Sequence, residues 1–519
     1  MASKKLRASL AGVTLLIFAG LAASGRLAGR QREASNKDDR AARRAERVER
    51  GIAPLQLGQD PPIELDLERL MKLNNDPGLS VAVIDGYRIA WAKAYGTTEA
   101  GGKDPVSTRT LFQAGSISKP VAATGMLALV EAGRLSLDED VNLKLKSWKV
   151  PGNEFTRDEK VTLRRLASHT AGLTVHGFPG YDVDERVPTL VQILDGEKPA
   201  NTPAIRVDLV PGTRVRYSGG GVTIEQLLMS DVAGKPFPEL MRETVLAKIA
   251  MADSSYAQPL EPQWAARTAC GTYAGGKPVH GRWHVYPEMA AAGLWTTPTD
   301  LAKFAIEIAL SRQGKANQVL SQKTAVAMLT PVLEEAGLGF FISKERPGEF
   351  GHNGADEGFQ ALLVMNWETG QGLAIMANSD NGIAVAQEVL RSVAREYAWK
   401  YPPGPRSDGE QLALLAQWKG ADAVLAKFDQ LKNAKKPEEG VLNAIGYRVF
   451  LSAGKTAEAV RVFEKNAAEY PGSANVWDSL AEAYAAAGRK QLAIENYEKS
   501  LELDPANDHA KQELKKLRE

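Results

Sequence analysis

The chain has 519 residues, 44% of them hydrophobic, which suits two or more domains with real cores. The formal net charge is +1, so no overall basic field points to nucleic acid. Cys270 is the only cysteine, which excludes an intrachain disulfide, and no Cys/His cluster has zinc-site spacing.

Charge is uneven along the chain. Residues 1–50 hold twelve Lys/Arg against five Asp/Glu, leaving the remainder mildly acidic. The opening MASKKLR is basic, and the eighteen residues 8–25 are uncharged and mostly apolar. That length is long for a signal h-region and slightly short of the roughly 20 residues of a spanning helix. Ala22, Ala23 and Ser24 suit a cleavage site, and arginines follow as well as precede the stretch. Residues 1–25 therefore read as an export signal, either cleaved or kept as a membrane anchor. Either form puts the protein outside the cytoplasm, periplasmic or secreted. Residues 26–60 are charged and Pro/Gly-spaced, and read as a linker.

From residue 61 the pattern is globular. Residues 78–96, GLSVAVIDGYRIAWAKAYG, form two alternating runs around Asp85-Gly86, a strong hairpin signal. Residues 359–379 repeat the pattern around Thr369-Gly370. Strands at both ends with helical segments between them predict an α+β domain over 61–400. It would be an antiparallel sheet flanked by helices, its edges drawn from both termini, with an inserted helical region.

Within it, QAGSISKPVAATGMLALVEAGRL places Ser116 and Lys119 three residues apart, where a strand-like run meets a predicted helix. That spacing puts both side chains on one face. A serine at a helix N-terminus also has its own N–H free to meet an oxyanion, and Pro120 is tolerated in a first turn. An alcohol needs a base before it attacks. An ordinary lysine, with a pKa near about 10.4, is protonated at neutral pH, so burial, another cation or a second group must help. A second Ser-x-x-Lys, Ser452 with Lys455, lies in a helix–helix turn and reads as a decoy. Neither Ser116 nor Ser218 sits in Gly-x-Ser-x-Gly. His280 and His284 lack the acidic base of a zinc helix. His169 reads as structural, and Asp85 and Asp356 as turn residues.

Five ordered segments, LFQAGSISKPVAATGMLALVEAGRLSLDEDV, VTLRRLASHTAGL, PGTRVRYSGGG, AAGLWTTPTDLAKF and GLGFFISKERPGEFGHNGADEGF, carry a resemblance over about residues 60–400. Together they resemble the serine β-lactamases and penicillin-binding proteins, especially the class C β-lactamase-related branch with its esterases and D-amino-acid peptidases. The resemblance implies Ser116 as acylated nucleophile, Lys119 as its base partner and Tyr217 as the phenol that shuttles protons. It implies that His352-Asn353-Gly354 replaces the usual Lys-Thr-Gly, and that the N–H groups of Ser116 and Ala355 form the oxyanion hole. Two positions depart from the family. Gly219 stands where an asparagine usually meets the substrate, and His352 stands where a permanent cation often sits. A histidine there would titrate near neutrality. Ser379-Asp380-Asn381 falls after His352 rather than before it, and reads as a turn.

The prolines and glycines of residues 401–410 mark a linker. Beyond it a 34-residue period pairs Phe450 with Tyr484, Gly454 with Gly488, Ala459 with Ala493, Phe463 with Tyr497 and Pro471 with Pro505. Trp477, Leu480, Ala481, Tyr484, Ala493, Tyr497 and Pro505 sit where tetratricopeptide (TPR) repeats place their packing residues, so residues 411–519 resemble an all-α TPR module. Residues 421–431 look like a weaker, offset first repeat. The whole reads as an exported serine hydrolase without metal or organic cofactor, acting on a D-amino-acid peptide, a small ester or a β-lactam. Its TPR helices would take a protein partner, a second copy or the catalytic domain itself. The rival reading is a catalytically weak binding protein working through those helices.

Overall fold

The computed structural model describes residues 39–56, 61–434 and 436–519. The expected signal or anchor at residues 1–25 lies outside them.

A six-stranded antiparallel sheet organises the first module. Its strands are β1 (Gly78–Ile84), β2 (Ile89–Gly96), β5 (Phe341–Ile342), β6 (Glu349–Asp356), β7 (Phe359–Asn366) and β8 (Gly372–Ala377), in the order β2-β1-β8-β7-β6-β5. β3 (Phe112–Gln113) and β4 (Trp295–Thr296) form a separate short ladder. Both expected hairpins are present, β1–β2 and β7–β8. The N-terminal and C-terminal strands meet in mid-sheet, where β1 pairs with β8 from Leu79↔Ala377 to Ile84↔Gly372.

The central strands read as almost unbroken apolar runs because both faces of the sheet are covered. In β1, Leu79, Val81 and Val83 enter one core while Ala82 and Ile84 enter the other. The same alternation holds in β8, where Leu373 and Ile375 oppose Ala374 and Met376. The inner core packs against helices Ser118–Glu131, Gly219–Ala233 and Pro298–Arg312. The outer core packs against Leu67–Leu73, Gly382–Glu396 and a helix at residues 39–50.

That last helix corrects the linker reading of 26–60 over its described part. Ala45 and Val48 are buried in the outer core, and the Arg47 guanidinium binds Glu396 at 2.7 Å. Charged residues at the other helical positions disguised the apolar stripe.

The C-terminal module is helical throughout. Ala474–Ala486 and Lys490–Leu503 form the repeat hairpin, with Ala493 fully buried beneath the flanking aromatics. Helix Asp408–Ala434 joins the modules. Its Leu414 and Leu415 belong to the outer core of the sheet, and its Leu412 and Ala416 to the TPR core. Residues 401–407 are irregular, as proline demands, but strapped down. Arg406 binds Glu388 at 2.8 Å and donates to the carbonyls of Ala53 and Pro54. Arg391 bridges Glu388 and Glu410.

Removing one partner of a buried ion network leaves charge without compensation. Arg406→Ala is therefore expected to cost at least about 2 kcal/mol in denaturant unfolding, and to speed proteolysis within residues 401–407.

Candidate active site

The reactive turn begins at Gly115, whose φ of +50° disfavours any side chain. A Cβ there would lie 2.4 Å from the Ala355 nitrogen. One residue earlier, the Ala114 carbonyl presses on β6 so closely that a Cβ on Gly354 would lie 1.9 Å from it. β6 can receive this turn because β5 pairs with it only at Phe350 and Gly351, leaving the rest of that edge open.

A 3₁₀ turn, Gly115–Ile117, then leads into helix Ser118–Glu131. The Ser118 hydroxyl locks the junction, donating to the Gly115 carbonyl at 2.6 Å and accepting from the Leu294 N–H at 3.0 Å. This puts Ser116 half-buried at the mouth and Lys119 beneath it, 3% exposed. Lys119 Nζ lies 2.8 Å from Ser116 Oγ and 2.7 Å from the Ala291 carbonyl oxygen.

Tyr217 arrives from the entry of helix Gly219–Ala233, where the Ser218 hydroxyl caps the Gly221 N–H at 2.9 Å. Its ring centroid is 5.0 Å from Lys119 Nζ. Aromatic rings hold it: His169 at 4.3 Å, His176 at 4.8 Å and His352 at 6.0 Å between centroids. Ser116, Tyr217, His352, Asn353, Gly354 and Ala355 thus line one cleft. Asn353 and Ala355 face it from the exposed side of β6, while His352 and Gly354 are buried.

Gly219 does not join them, which corrects its assignment as a substrate contact. It is buried against the Phe178 ring, and its N–H already donates to the His176 carbonyl at 2.9 Å. The amide expected from an asparagine has no counterpart at this position.

His352 also departs from expectation. Burial, and then the charge of Lys119, push its pKa down to about 3, so it is neutral at physiological pH. Its Nδ1 donates to the Asn353 carbonyl, leaving Nε2 a buried acceptor with no partner among the described residues. The position of the family's cation is filled by a neutral acceptor. His169 is likewise held well below the usual histidine range, by burial first and then by Lys119. Its Nδ1 accepts from the Ser218 N–H at 3.2 Å, so it positions the tyrosine loop.

Sequence reading missed three residues. Asp356, expected to be a turn residue, is the buried last residue of β6 and accepts from the Gly115 N–H at 3.2 Å. Glu288 is fully buried, three residues before the carbonyl that holds Lys119, and neither carboxyl oxygen has a hydrogen-bond partner among the side chains and backbone of the other described residues. His176 lines the cleft from an exposed loop whose sequence carries no periodic signal. The decoys line the far part of the same cleft, with their polar groups occupied elsewhere. The Ser452 hydroxyl donates to its own helix at the Arg448 carbonyl, and Asp380 accepts from the Gly358 N–H within a turn.

The β-lactamase family model matches residues 67–398, more than half of the chain. This chain belongs to the β-lactamase family. The tetratricopeptide repeat model matches residues 474–507. The β-lactamase of Pseudomonas fluorescens is 29% identical over 245 residues, 47% of this chain and 62% of that protein. The chain thus spans less than two thirds of that relative. In fold it is similar to the octameric penicillin-binding protein homologue from Pyrococcus abyssi (TM-score 0.54, 22% identity, 67% of this chain and 80% of that one). It is also similar to the D-amino acid amidase from Ochrobactrum anthropi SV3 (TM-score 0.51, 21% identity, 62% and 94%).

Two measurements test this site. In Gly354→Ala the new methyl meets the Ala114 carbonyl and displaces the reactive turn, so acylation of Ser116 should fall about 100-fold. The second concerns the buried carboxyls. Burial raises Glu225 and Glu288 from the usual 4.5 to about 8. Between those values the native protein holds protons that the unfolded chain has released, so raising pH through this window withdraws stability. Glu288→Gln removes one such loss. Its melting temperature relative to the unsubstituted protein should therefore rise steadily from pH 5 to pH 8.

Proposed function

We propose that this protein is an exported serine hydrolase that cleaves an ester or amide through an acyl-Ser116 intermediate. The observation that carries the reading is the 2.8 Å contact between Lys119 Nζ and Ser116 Oγ at the mouth of the cleft. The Ala291 carbonyl orients Lys119 Nζ against the hydroxyl, where it acts as the base for the serine proton. Ser116 Oγ attacks the carbonyl carbon as its proton passes to Lys119. In this reading the oxyanion rests on the N–H groups of Ser116 and Ala355, which the contact between Gly115 and Ala355 supports. Collapse breaks the bond to the leaving group, which takes its proton by way of Tyr217. Water then attacks the acyl-serine, frees the acid and restores the Ser116 hydroxyl.

D-amino-acid peptides, small esters and β-lactams are the substrate classes that fit the family and the names of its relatives. The neutral His352 and the absence of a side chain at Gly219 both disfavour efficient β-lactam turnover, since neither a cation nor an amide meets the substrate there. Export rests on residues 1–25, basic and then apolar.

The test is intact mass after exposure to a fluorophosphonate. An adduct on the protein that disappears in Ser116→Ala supports an activated serine. A folded protein with no adduct overturns the reading in favour of a binding protein.

A further inference from the structure

The cleft at Ser116 does not end within the catalytic module. The whole cavity holds about 1320 Å³ and runs past the start of helix Gly382–Glu396 to the first full hairpin of the TPR module, Glu439–Ile445 with Thr456–Glu469, where Val441, Tyr447, Arg448 and Ser452 form its wall. This exceeds the roughly 300–1,000 Å³ that encloses a drug-sized ligand. A small ester would occupy one end of it only.

The wall is held in place. Gly275 of the catalytic module lies against the turn after the hairpin helix, where a Cβ would sit 3.3 Å from Ala453 Cα. Helix Asp408–Ala434 packs into both cores, and the Glu388, Arg391, Arg406 and Glu410 network fastens its start. The cleft wall itself is irregular. Residues Gly446–Leu451 form a π turn, a feature that costs helix regularity and recurs at functional sites.

Of the acidic residues along the cleft, Glu388 and Glu410 are neutralised by their arginines and Asp380 is occupied by the N–H groups of Gly358 and Ala274, while Glu438, exposed at the far end, has no ion pair among the described residues. Arg448 is exposed and forms no ion pair among the described residues. Apart from Lys119, buried under the serine, it is the only lysine or arginine there among the described residues. His352, in the place of the family's cation, is uncharged.

We propose that the first TPR hairpin is the far wall of the substrate cleft, and that Arg448 binds the carboxylate of an extended, peptide-sized substrate whose scissile carbonyl lies at Ser116. This rests on Ser116 being the nucleophile. The TPR helices then act in specificity as part of the enzyme, and the anion is recognised far from the reacting bond instead of beside it. A planar guanidinium suits a carboxylate because it can donate two parallel N–H groups.

The test uses the full chain and three fluorophosphonates. One is compact. Two carry a tetrapeptide-length arm ending in a carboxylate or in the matching carboxamide. The rate of labelling at Ser116 should favour the carboxylate arm about fivefold, the upper range for an exposed charge pair. Arg448→Glu should bring the ratio to one or below, and Arg448→Lys should retain part of it. Equal rates for the two arms, or a preference that survives Arg448→Glu, would overturn the inference while labelling by the compact probe leaves the nucleophile standing. If the compact probe fails, the nucleophile reading falls instead. Fluorescence polarisation with the two peptide arms alone then asks whether Arg448 still selects the carboxylate, and no selection overturns it.

Discussion

The contact between the Ala114 carbonyl and Gly354 is the constraint on which the site depends. Two backbones approach at a distance that no side chain allows, 1.9 Å from where a Cβ would stand. Gly115 completes the contact with its positive φ against Ala355. Because of it, the turn that carries Ser116 is pinned to a strand of the central sheet and cannot drift with its helix. Asp356 adds a hydrogen bond to the Gly115 N–H from the end of the same strand. The nucleophile therefore inherits the rigidity of a sheet buried on both faces.

Around that pinned turn, burial decides which groups carry charge. His352 and His169 are close enough to Lys119 to feel its charge, and burial already disfavours their cations, so both stay neutral. Glu225 and Glu288 sit in the same interior and are pushed up to about 8. The pocket floor is thus poor in fixed charge although it is rich in titratable residues. Lysine is left as the polar group in contact with the serine, and it is held by a carbonyl, not by a carboxylate. The Ala291 carbonyl fixes where the Lys119 Nζ points, directly beneath the serine hydroxyl.

The second module is part of the same body. A helix that contributes to two cores transmits position from one to the other, and the ion network at its start is largely shielded from water. Burying those charges costs desolvation and adds little to stability, but it fixes one arrangement among many. The consequence is geometric: residues of the first TPR hairpin line the cleft together with those of the catalytic module.

The sequence by itself determined the elements and the chemistry-bearing positions. Alternation around Asp85-Gly86 and Thr369-Gly370 specified hairpins, because a period of two has no other reading in such short runs. The 34-residue period specified stacked helix pairs. Ser116, Lys119, Tyr217 and the His352 strand were legible as ordered motifs. Tertiary structure decided what each position could do. Gly219 turned out to be walled off by Phe178 and His176, and only three-dimensional packing brings those residues to it. The charge of His352 depends on burial, which one strand's sequence does not contain. The helix at residues 39–50 hid its apolar stripe among arginines, and Asp356 looked like a turn because its partner, Gly115, is 241 residues away. Local pattern fixes secondary structure because its forces are local; desolvation and close approach belong to residues far apart in the chain, and only the folded molecule sets them.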